Sequence, residues 1–341
     1  MRGLLSNAKS AVLAIWLMVL APAHTGIAGA AQPLVRAIDS VSVTVSDMDR
    51  SVAFYHLVLS FEPVSDIEVA GDNYEHLYGV FGARIRIVKL RLGDEYLNLE
   101  QFIAPRGRPV PADSKSNDGW FQHIAIIVGD MDRAFAWLHD HRVEFSSPGP
   151  QLLPLTNPNA GGIAAFYFRD PDGHNLEILH FPPDKGASKW QARSDRLFLG
   201  IDHSAIVVGD SEASLRYYRD TLGLRVAGSS ENFGIEQERL NNVFGARLRI
   251  TALRAESGPG IELLEYLAPH TGRPMPVDTQ ANDLWNWHVD MRADVVAAEN
   301  RLHDRHVNHV SAGPIDSDPN VHRWSLLLRD PDGHATMLQS Q

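Results

Sequence analysis

The sequence of 341 residues contains no cysteine. Disulfide bonds, thiolate nucleophiles and cysteine-ligated metals are therefore excluded, and any bound metal must use histidine, aspartate, glutamate or neutral oxygen donors. The sequence also lacks a phosphate-binding glycine loop, a dinucleotide-binding glycine fingerprint, a GxSxG elbow and an HExxH pair. Kinase, serine hydrolase and zincin interpretations thus have no support.

An excess of positive charge is also missing. The chain carries 31 Lys and Arg against 42 Asp and Glu, a formal net charge of −11. Nucleic acids and anionic membranes are bound through basic surfaces that release counterions. We therefore expect neither as a partner, and expect a small-molecule substrate instead.

The apolar segment near the N terminus is short. Residues 11–21 follow Arg2 and Lys9 and precede the small residues at 28–30, which is the pattern of a cleavable secretory signal. About eleven apolar residues fall well short of the roughly twenty that a membrane helix needs. We predict a signal peptide over residues 1–30 and a periplasmic or secreted mature protein without membrane insertion, carrying 29 basic and 42 acidic side chains.

The sequence contains a long internal repeat. The segment VFGARIRIVKLR, which begins at Val80, returns as VFGARLRITALR beginning at Val243. The segment RDPDGH begins at Arg169 and again at Arg329. Repeated segments in the same order indicate two homologous halves.

The length agrees with two domains, because a chain of this size exceeds what one hydrophobic core usually covers. We place the first domain at residues 36–181 and the second at 199–341. The linker between them, residues 182–198, contains Pro182 and Gly186, which interrupt regular structure.

A shorter repeat divides each half. Segments beginning at Ile38, Phe121 and Ile201 alternate β-branched residues and then continue with helical spacing, which predicts a strand followed by a helix. Turn-rich, strand-like sequence follows each helix, so we expect four units of a strand, a helix and three further strands. An aspartate at each strand end is expected to begin the helix: Asp47, Asp130 and Asp210.

The repeated openings and the two DPDGH turns make nearly all of residues 36–341 similar to the vicinal oxygen chelate superfamily. This superfamily includes glyoxalases, bleomycin-resistance proteins and extradiol dioxygenases. The resemblance implies an α+β fold of four βαβββ modules in two homologous glyoxalase-like domains, whose curved mixed sheets enclose cavities. In that family each of two facing modules supplies one metal ligand from its first strand and one from its last.

The residues at the family's ligand positions follow directly from the resemblance. If the halves close on themselves, modules one and two make one site, modules three and four make another, and both are incomplete. If pairing crosses between the halves, modules two and three contribute two histidines and two glutamates. We favour one intact and one degenerate site. The four pairs, in module order, are Ser40 with Asn98, His123 with Glu177, His203 with Glu262, and His288 with Met337.

These positions give the candidate site residues. The resemblance implies a divalent cation, Zn, Fe(II), Mn or Ni, held by members of the set His123, Glu177, His203, Glu262 and His288. It also implies that the cation takes two neighbouring oxygens of a small substrate.

The resemblance leaves the type of activity open. With two histidines and two glutamates, Glu177 or Glu262 could act as a general base in a lyase or isomerase. Two histidines and one carboxylate would suit a ring-cleaving dioxygenase. A binding protein of the bleomycin-resistance type, which sequesters a small molecule without turnover, is the alternative. Export makes substrates based on glutathione or coenzyme A less suitable.

Other polar residues have simpler explanations. Asp-Gly turn chemistry accounts for the DPDGH segments, so His174 and His334 are expected to be structural. Arg108 and Arg273 lie in equivalent loops, where each could reach an anionic substrate or stabilise the loop; we favour the structural role.

Overall fold

One chain pattern, a strand followed by a helix and further strands, occurs four times in the fold. The computed structural model describes residues 33–318 and 320–340, so the predicted signal peptide at 1–30 lies outside the described residues. Within this part of the chain no helix is long and apolar enough to cross a membrane.

The first half contains modules one and two. Module two differs from the predicted βαβββ pattern because its second strand is broken into two short pieces, both paired with the next strand. Module one comprises β1 (Val35–Thr44), α1 (Met48–Leu57), β2 (Glu62–Ala70), α2 (Asp72–Tyr78), β3 (Arg84–Leu92) and β4 (Glu95–Ala104). Module two comprises β5 (Gln122–Val128), α3 (Met131–Asp140), β6 (Glu144–Phe145), β7 (Gln151–Leu152), β8 (Ala164–Arg169) and β9 (Asn175–His180).

The second half repeats this order. The helix of module three continues into a π-helical turn at Arg216–Thr221. Module three comprises β10 (Phe198–Val208), α4 (Ser211–Leu215), β11 (Arg225–Phe233), α5 (Ile235–Asn241), β12 (Arg247–Arg254) and β13 (Gly260–Ala268). Module four comprises β14 (Trp287–Ala293), α6 (Val295–His303), β15 (Asn308–His309), β16 (Ile315–Asp318), β17 (Arg323–Arg329) and β18 (Ala335–Gln339).

The aspartates at the strand ends cap the helices, as predicted. The side chain of Asp47 accepts a hydrogen bond from the backbone N–H of Arg50, and that of Asp130 from the N–H of Arg133. Asp210 caps α4 in the same way. A fourth cap, Asp294, begins α6.

Two short helices, α2 and α5, were not predicted from the sequence. Each has seven residues and begins after a glycine, Gly71 or Gly234, whose φ of 99° or 96° lies in the left-handed region. A seven-residue helix shows too few turns for its apolar spacing to be recognised. The predicted linker also contains regular structure, a 3₁₀ turn at Ser188–Gln191.

The sheets join modules from different halves. One nine-stranded sheet contains modules one and four, with β1 antiparallel to β14, and the other contains modules two and three, with β5 antiparallel to β10. The pairing that the sequence left open therefore crosses between the halves. The predicted α+β class and the curved mixed sheets are confirmed.

The apolar cores connect modules in the other direction. Val41 and Val43 of β1 share one core cluster with Ile124 and Ile126 of β5. A second cluster unites the corresponding strands of modules three and four. Each module is thus hydrogen-bonded to a module of the other half and packed against one of its own half.

The DPDGH turns are structural, as predicted. Asp170 accepts hydrogen bonds from the backbone N–H groups of Asp172 and His174, and Tyr55 of α1 donates to it at 3.2 Å. Asp330 makes the same contacts in the second half, where Tyr218 donates at 3.1 Å. Each turn therefore links the two modules of one half.

Arg108 and Arg273 also have structural roles. Nη2 of Arg108 donates to Asp283 at 2.6 Å, and Nη2 of Arg273 donates to Asp118 at 2.7 Å. Each guanidinium also stacks on a tryptophan, with centroid distances of 4.7 and 4.6 Å. Both loops are therefore fixed by ion pairs between the halves.

We expect Asp118→Asn to lower the free energy of unfolding by about 1–3 kcal/mol, because it weakens several charge-assisted hydrogen bonds to one buried carboxylate. Burial alone would raise the pKa of Asp118, but the hydrogen bonds from Arg273 and from the backbone N–H of Lys115 together outweigh it and lower the pKa. The stabilisation is therefore present above the ordinary carboxyl pKa and is lost as the pH falls through the lowered value. Urea unfolding at neutral and acidic pH measures both effects.

Asp113→Asn is the matched control, since Asp113 also pairs with Arg273 but its side chain is 78% exposed. The free energy of unfolding of this variant should lie within about 0.5 kcal/mol of the wild-type value. Equal losses in the two variants would contradict the role assigned to Asp118.

Candidate metal centre

Strand pairing between the halves brings two histidines together. In the antiparallel pair of β5 and β10, His123 lies opposite Ala205 and His203 lies opposite Ala125. Side chains alternate between the faces of a strand, so both histidines and both alanines face the same cavity. The two small alanines leave space between the imidazole rings, whose centroids are 5.8 Å apart.

The two glutamates come from the last strands of the same modules. Glu177 on β9 lies beside Ala125, and Glu262 on β13 lies beside Ala205, each in a parallel pair. The structure therefore brings together four of the five predicted metal ligands.

The four side chains lie close to one another. Oε2 of Glu177 is 3.3 Å from Nε2 of His123 and 3.7 Å from Nε2 of His203, and Oε2 of Glu262 is 3.4 Å from Nε2 of His203. Potential ligand atoms of His123, Glu177 and His203 all lie within 4.8 Å of one another. No other group of three among the described residues meets this criterion. Glu262 is the most accessible member, with 26% of its side chain exposed.

The buried histidine nitrogens fit a metal ion. Nε2 and Nδ1 of His123 and Nε2 of His203 have no hydrogen-bond partner among the described residues. A buried polar atom without a partner costs about 1–3 kcal/mol. Neutral imidazole nitrogens and carboxylate oxygens are donors that borderline divalent cations accept, so the donor set fits the cation that the resemblance implies.

Asp202 fixes the orientation of His203. Oδ2 of Asp202 accepts a hydrogen bond from Nδ1 of His203 at 3.0 Å and from Arg254 at 2.6 Å, while Oδ1 accepts from Trp190 at 2.9 Å. The occupied Nδ1 leaves Nε2 as the nitrogen that faces the glutamates. Such a carboxylate partner is a common support of a metal-binding histidine.

Sequence reasoning missed Asp202 because strict alternation places it on the opposite face from His203. The structure has a register shift between Ile201 and His203 in the β5–β10 pair. A bulge of this kind changes where consecutive side chains point. An acidic residue directly before a candidate ligand was the available signal.

The charges of the site act on the imidazole of His203. Burial lowers its pKa, but the carboxylates of Glu262, Asp202 and Glu177 outweigh this effect and raise the pKa to about 9. The pKa of Asp202 is lowered although burial opposes it, since His203 and Arg254 stabilise its charge. The carboxylates thus create a negative potential at the point where the histidine nitrogens converge.

A cavity of about 640 Å³ opens from this cluster. Its lining contains apolar residues and polar residues, the latter mainly from β11 and α5. The apolar residues include Leu153, Leu179, Leu240, Leu248, Ile250 and Leu264, and the polar residues include Asn159, Arg225, Ser229, Asn232 and Gln237.

The fifth predicted ligand, His288, does not join this cluster. It lies on β14 in the other sheet, where Asn98 on β4 is beside Ser42 and Met337 on β18 is beside Asp290. Asn98 and Met337 occupy the register positions that Glu262 and Glu177 occupy in the intact cluster. The second cavity therefore lacks both carboxylates at these positions, and His288 lies apart from the other four predicted ligands.

Two buried acids near His288 were missed by the sequence reasoning. Nε2 of His288 lies 3.3 Å from Oδ1 of Asp290 and 3.6 Å from Oε1 of Glu100. Asp290 lies two residues after His288, and Glu100 lies two residues after Asn98, so each acid shares a strand face with a residue that the sequence analysis had selected. Period-two alternation was therefore the signal for both.

Comparison with known proteins supports this description. Two curved sheets, each built from a pair of βαβββ modules around a cavity, define a glyoxalase-like fold. The family model for the Glyoxalase/Bleomycin resistance protein/Dioxygenase superfamily matches residues 37–178 and 200–338. The chain belongs to this superfamily, as the resemblance in its sequence indicated.

Individual relatives are similar to parts or most of the chain. A 2-epi-5-epi-valiolone epimerase from Actinomyces is 32% identical over 171 residues, 48% of this chain and 87% of the relative. Protein YwkD of Bacillus subtilis is 27% identical over 146 residues, 42% of this chain and 97% of the relative. Glyoxalase I from Zea mays shares the fold, with a TM-score of 0.59 and 14% identity, covering 89% of this chain and 92% of the other. The epimerase supports an enzymatic role of the general kind found in the superfamily, and the solved structure supports the fold.

We expect Asp202→Asn to weaken divalent metal binding about 10–100-fold, because His203 loses the charged group that orients it. Titration of the metal against a chelating competitor measures this affinity.

Asp39→Asn is the matched control, since Asp39 occupies the equivalent bulge of β1 in the other sheet and pairs with Arg292. The metal affinity of the Asp39→Asn variant should equal that of the wild type. Equal weakening in both variants would argue against a specific role for Asp202.

Proposed function

We propose that the protein is a metal-dependent enzyme that transfers a proton at a carbon beside a carbonyl group, as an epimerase or isomerase does. The substrate is a small hydroxylated carbonyl compound with two neighbouring oxygens. The observation that carries this proposal is the buried cluster of His123, His203 and Glu177, in which Nε2 of each histidine lacks a hydrogen-bond partner, beside the more accessible Glu262.

Three residues of the cluster would hold the cation, a Zn, Fe(II), Mn or Ni ion. Asp202 occupies Nδ1 of His203 and leaves Nε2 near the glutamates, while His123 and Glu177 complete the closest group of donors. The bound cation supplies a Lewis acid that stabilises negative charge developing on neighbouring substrate oxygens.

Glu262 is the residue best placed to move the proton. Its carboxylate is 3.4 Å from Nε2 of His203, and its side chain is 26% exposed, whereas that of Glu177 is 6% exposed. A carboxylate that faces the cavity can accept a proton from the substrate carbon and return it to the product. Glu177, deeper in the cluster, is better suited to holding the metal.

The cavity walls orient the substrate and restrict water. Gln237 lines the cavity, is 2% exposed, and has an Oε1 atom without a partner among the described residues. An oxygen in this state is available to accept a hydrogen bond from a substrate hydroxyl. The apolar lining residues reduce the water around the reacting carbon, which strengthens the electrostatic interactions there.

The relative named 2-epi-5-epi-valiolone epimerase supports this choice among the reactions of the superfamily, because an epimerase inverts one stereocentre of its substrate. The predicted signal peptide would place the protein in the periplasm or outside the cell. That compartment favours a small exogenous substrate over a glutathione or coenzyme A thioester.

A ring-cleaving dioxygenase is the second candidate. It is favoured by the closest donor group, which contains two histidines and one carboxylate, a set that suits iron and oxygen chemistry. Oxygen consumption with catechols distinguishes this reaction from proton transfer, which consumes none.

We expect Glu262→Gln to lower the rate of proton exchange about 10²–10⁴-fold, the usual contribution of a general base, while keeping the metal. Glu177→Gln should lose the metal. Elemental analysis gives metal content, and NMR of deuterium incorporated from solvent into a panel of hydroxyketones gives the rate.

His288→Ala is the control, because His288 lies in the other cavity, and it should retain both metal and exchange. Metal loss in His288→Ala together with retention in His123→Ala would overturn the assignment of the centre. If the wild-type protein binds no metal after reconstitution, the proposed enzymatic function fails, and a small-molecule binding protein without turnover remains as the alternative.

A further inference from the structure

The bulge in β10, where Asp202 contacts His203, is held by a residue of module one. A bulge leaves backbone N–H groups outside the regular ladder of a sheet, so each of them needs another acceptor. The N–H of Ile201, at the start of the bulge, donates to Oε2 of Glu95 at 3.3 Å. Glu95 begins β4, which belongs to the other sheet. A module that supplies no residue to the metal cluster therefore contacts a strand that does.

Two glycines let the turn between β3 and β4 approach β10 closely. A Cβ atom at Gly200 would collide with Oε2 of Glu95 and with the ring of Trp190. On the other side of this contact, a Cβ atom at Gly93 would collide with the carbonyl oxygen of Leu199. The φ of Gly93, 63°, also favours glycine. Glu95 is thus buried against the strand, with 5% of its side chain exposed.

A second path connects Glu95 to Asp202 through the segment that joins the halves. Lys189 forms an ion pair with Oε1 of Glu95, and its Nζ atom lies 4.2 Å from the ring centroid of Trp190. Nε1 of Trp190 in turn donates to Oδ1 of Asp202 at 2.9 Å. Glu95 therefore reaches Asp202 twice, through the backbone of the bulge and through the contact between Lys189 and Trp190.

The equivalent bulge in β1 is supported differently. There the N–H of Ile38 donates to the backbone oxygen of Ser257 at 3.0 Å, so a carbonyl takes the place of the buried carboxylate. Asp39 corresponds to Asp202, but 31% of its side chain is exposed, whereas that of Asp202 is 4% exposed. The buried acid and the buried aspartate therefore occur together, in the sheet that contains the metal cluster.

The buried carboxylate of Glu95 costs stability. Burial raises the pKa of Glu95, and the opposing effects of Lys189 and of the N–H of Ile201 do not cancel this increase. Because a backbone carbonyl accepts the equivalent N–H in β1, closing such a bulge does not require a carboxylate. Local features that oppose stability tend to occur at functional sites. The position of Glu95 therefore indicates a role in the nearby site.

We propose that Glu95 is a positioning residue of the metal centre, which acts on His203 through the bulge of β10 and through Asp202. By accepting the N–H of Ile201, it fixes the backbone that keeps Asp202 beside Nδ1 of His203. Nε2 of His203 is thereby held in place for the cation. The inference rests on the proposed function, because it assigns a role toward the metal that His203 would bind. It means that module one, which provides no ligand, contributes to the affinity of the centre.

Two variants separate the reach of Glu95 from its charge. Glu95→Asp keeps the charge but is one methylene shorter, so it loses contact with Ile201, whereas Glu95→Gln keeps an oxygen at the same reach. We expect Glu95→Asp to weaken Zn²⁺ binding about 5–10-fold, less than loss of a direct partner of a ligand would, and Glu95→Gln to bind within about twofold of the wild type. Titration of Zn²⁺ against a chelating competitor measures both affinities. Wild-type affinity in Glu95→Asp, or equal weakening in Glu95→Gln, would overturn the proposal.

Control variants exclude a general loss of stability. Asp94→Ala removes the exposed acid beside Glu95 in the same turn, and it should bind Zn²⁺ within about twofold of the wild type. Asp283→Asn weakens a buried ion pair with Arg108 before β14, in the other sheet, and should also keep its affinity. Weakening in Asp283→Asn equal to that in Glu95→Asp would overturn the proposal. If circular dichroism shows that Glu95→Asp does not fold, Gly200→Ala, whose Cβ displaces Oε2 of Glu95, replaces it with the same expectation.

A measurement without metal separates this inference from the proposed function. In the metal-free protein, the side-chain ¹H–¹⁵N NMR signal of Nδ1 of His203, assigned with His203→Gln, reports the hydrogen bond to Asp202. We expect Glu95→Asp to shift or broaden this signal and Glu95→Gln to leave it in place. If the wild-type protein binds no Zn²⁺, the proposed function fails, and the NMR signal decides whether Glu95 positions His203. An unchanged signal in Glu95→Asp would overturn the proposal.

Discussion

The candidate metal centre depends on the antiparallel pairing of β5 with β10, the first strands of modules two and three. Because these strands belong to different halves of the chain, neither half alone contains the two histidines and two glutamates. The same pairing fixes the register that sets an alanine opposite each histidine. Apolar packing within each half and hydrogen bonding between the halves then hold four modules in one arrangement.

Two equivalent cavities in this arrangement differ in whether their buried polar atoms have hydrogen-bond partners. Around His123 and His203, small neighbours leave the inward nitrogens without partners, and the buried carboxylates supply negative charge. Around His288, polar neighbours fill the corresponding space and satisfy one another. Since a buried polar atom must be paired by something, the first cavity suits a cation, whereas the polar groups of the second cavity already pair with one another.

Support for the metal centre comes from residues outside the four ligand candidates. Asp202 occupies Nδ1 of His203, and it is itself held by Arg254 and Trp190. Trp190 lies in the 3₁₀ turn of the segment that joins the halves, so this connection contributes to the site. The ion pairs of Arg108 and Arg273, by contrast, neutralise buried aspartates in loops and are used for stability.

The sequence by itself determined the repeat, the four modules, the helix caps and the residues at the ligand positions, because these depend on local spacing and alternation. Only the tertiary structure decided which modules pair, since both pairings satisfy the same local pattern. It also separated His288 from the other four candidates and revealed Asp202, whose position depends on a bulge that alternation does not predict. The partnered state of each buried nitrogen, which distinguishes the two cavities, depends on contacts between strands that are distant in the chain.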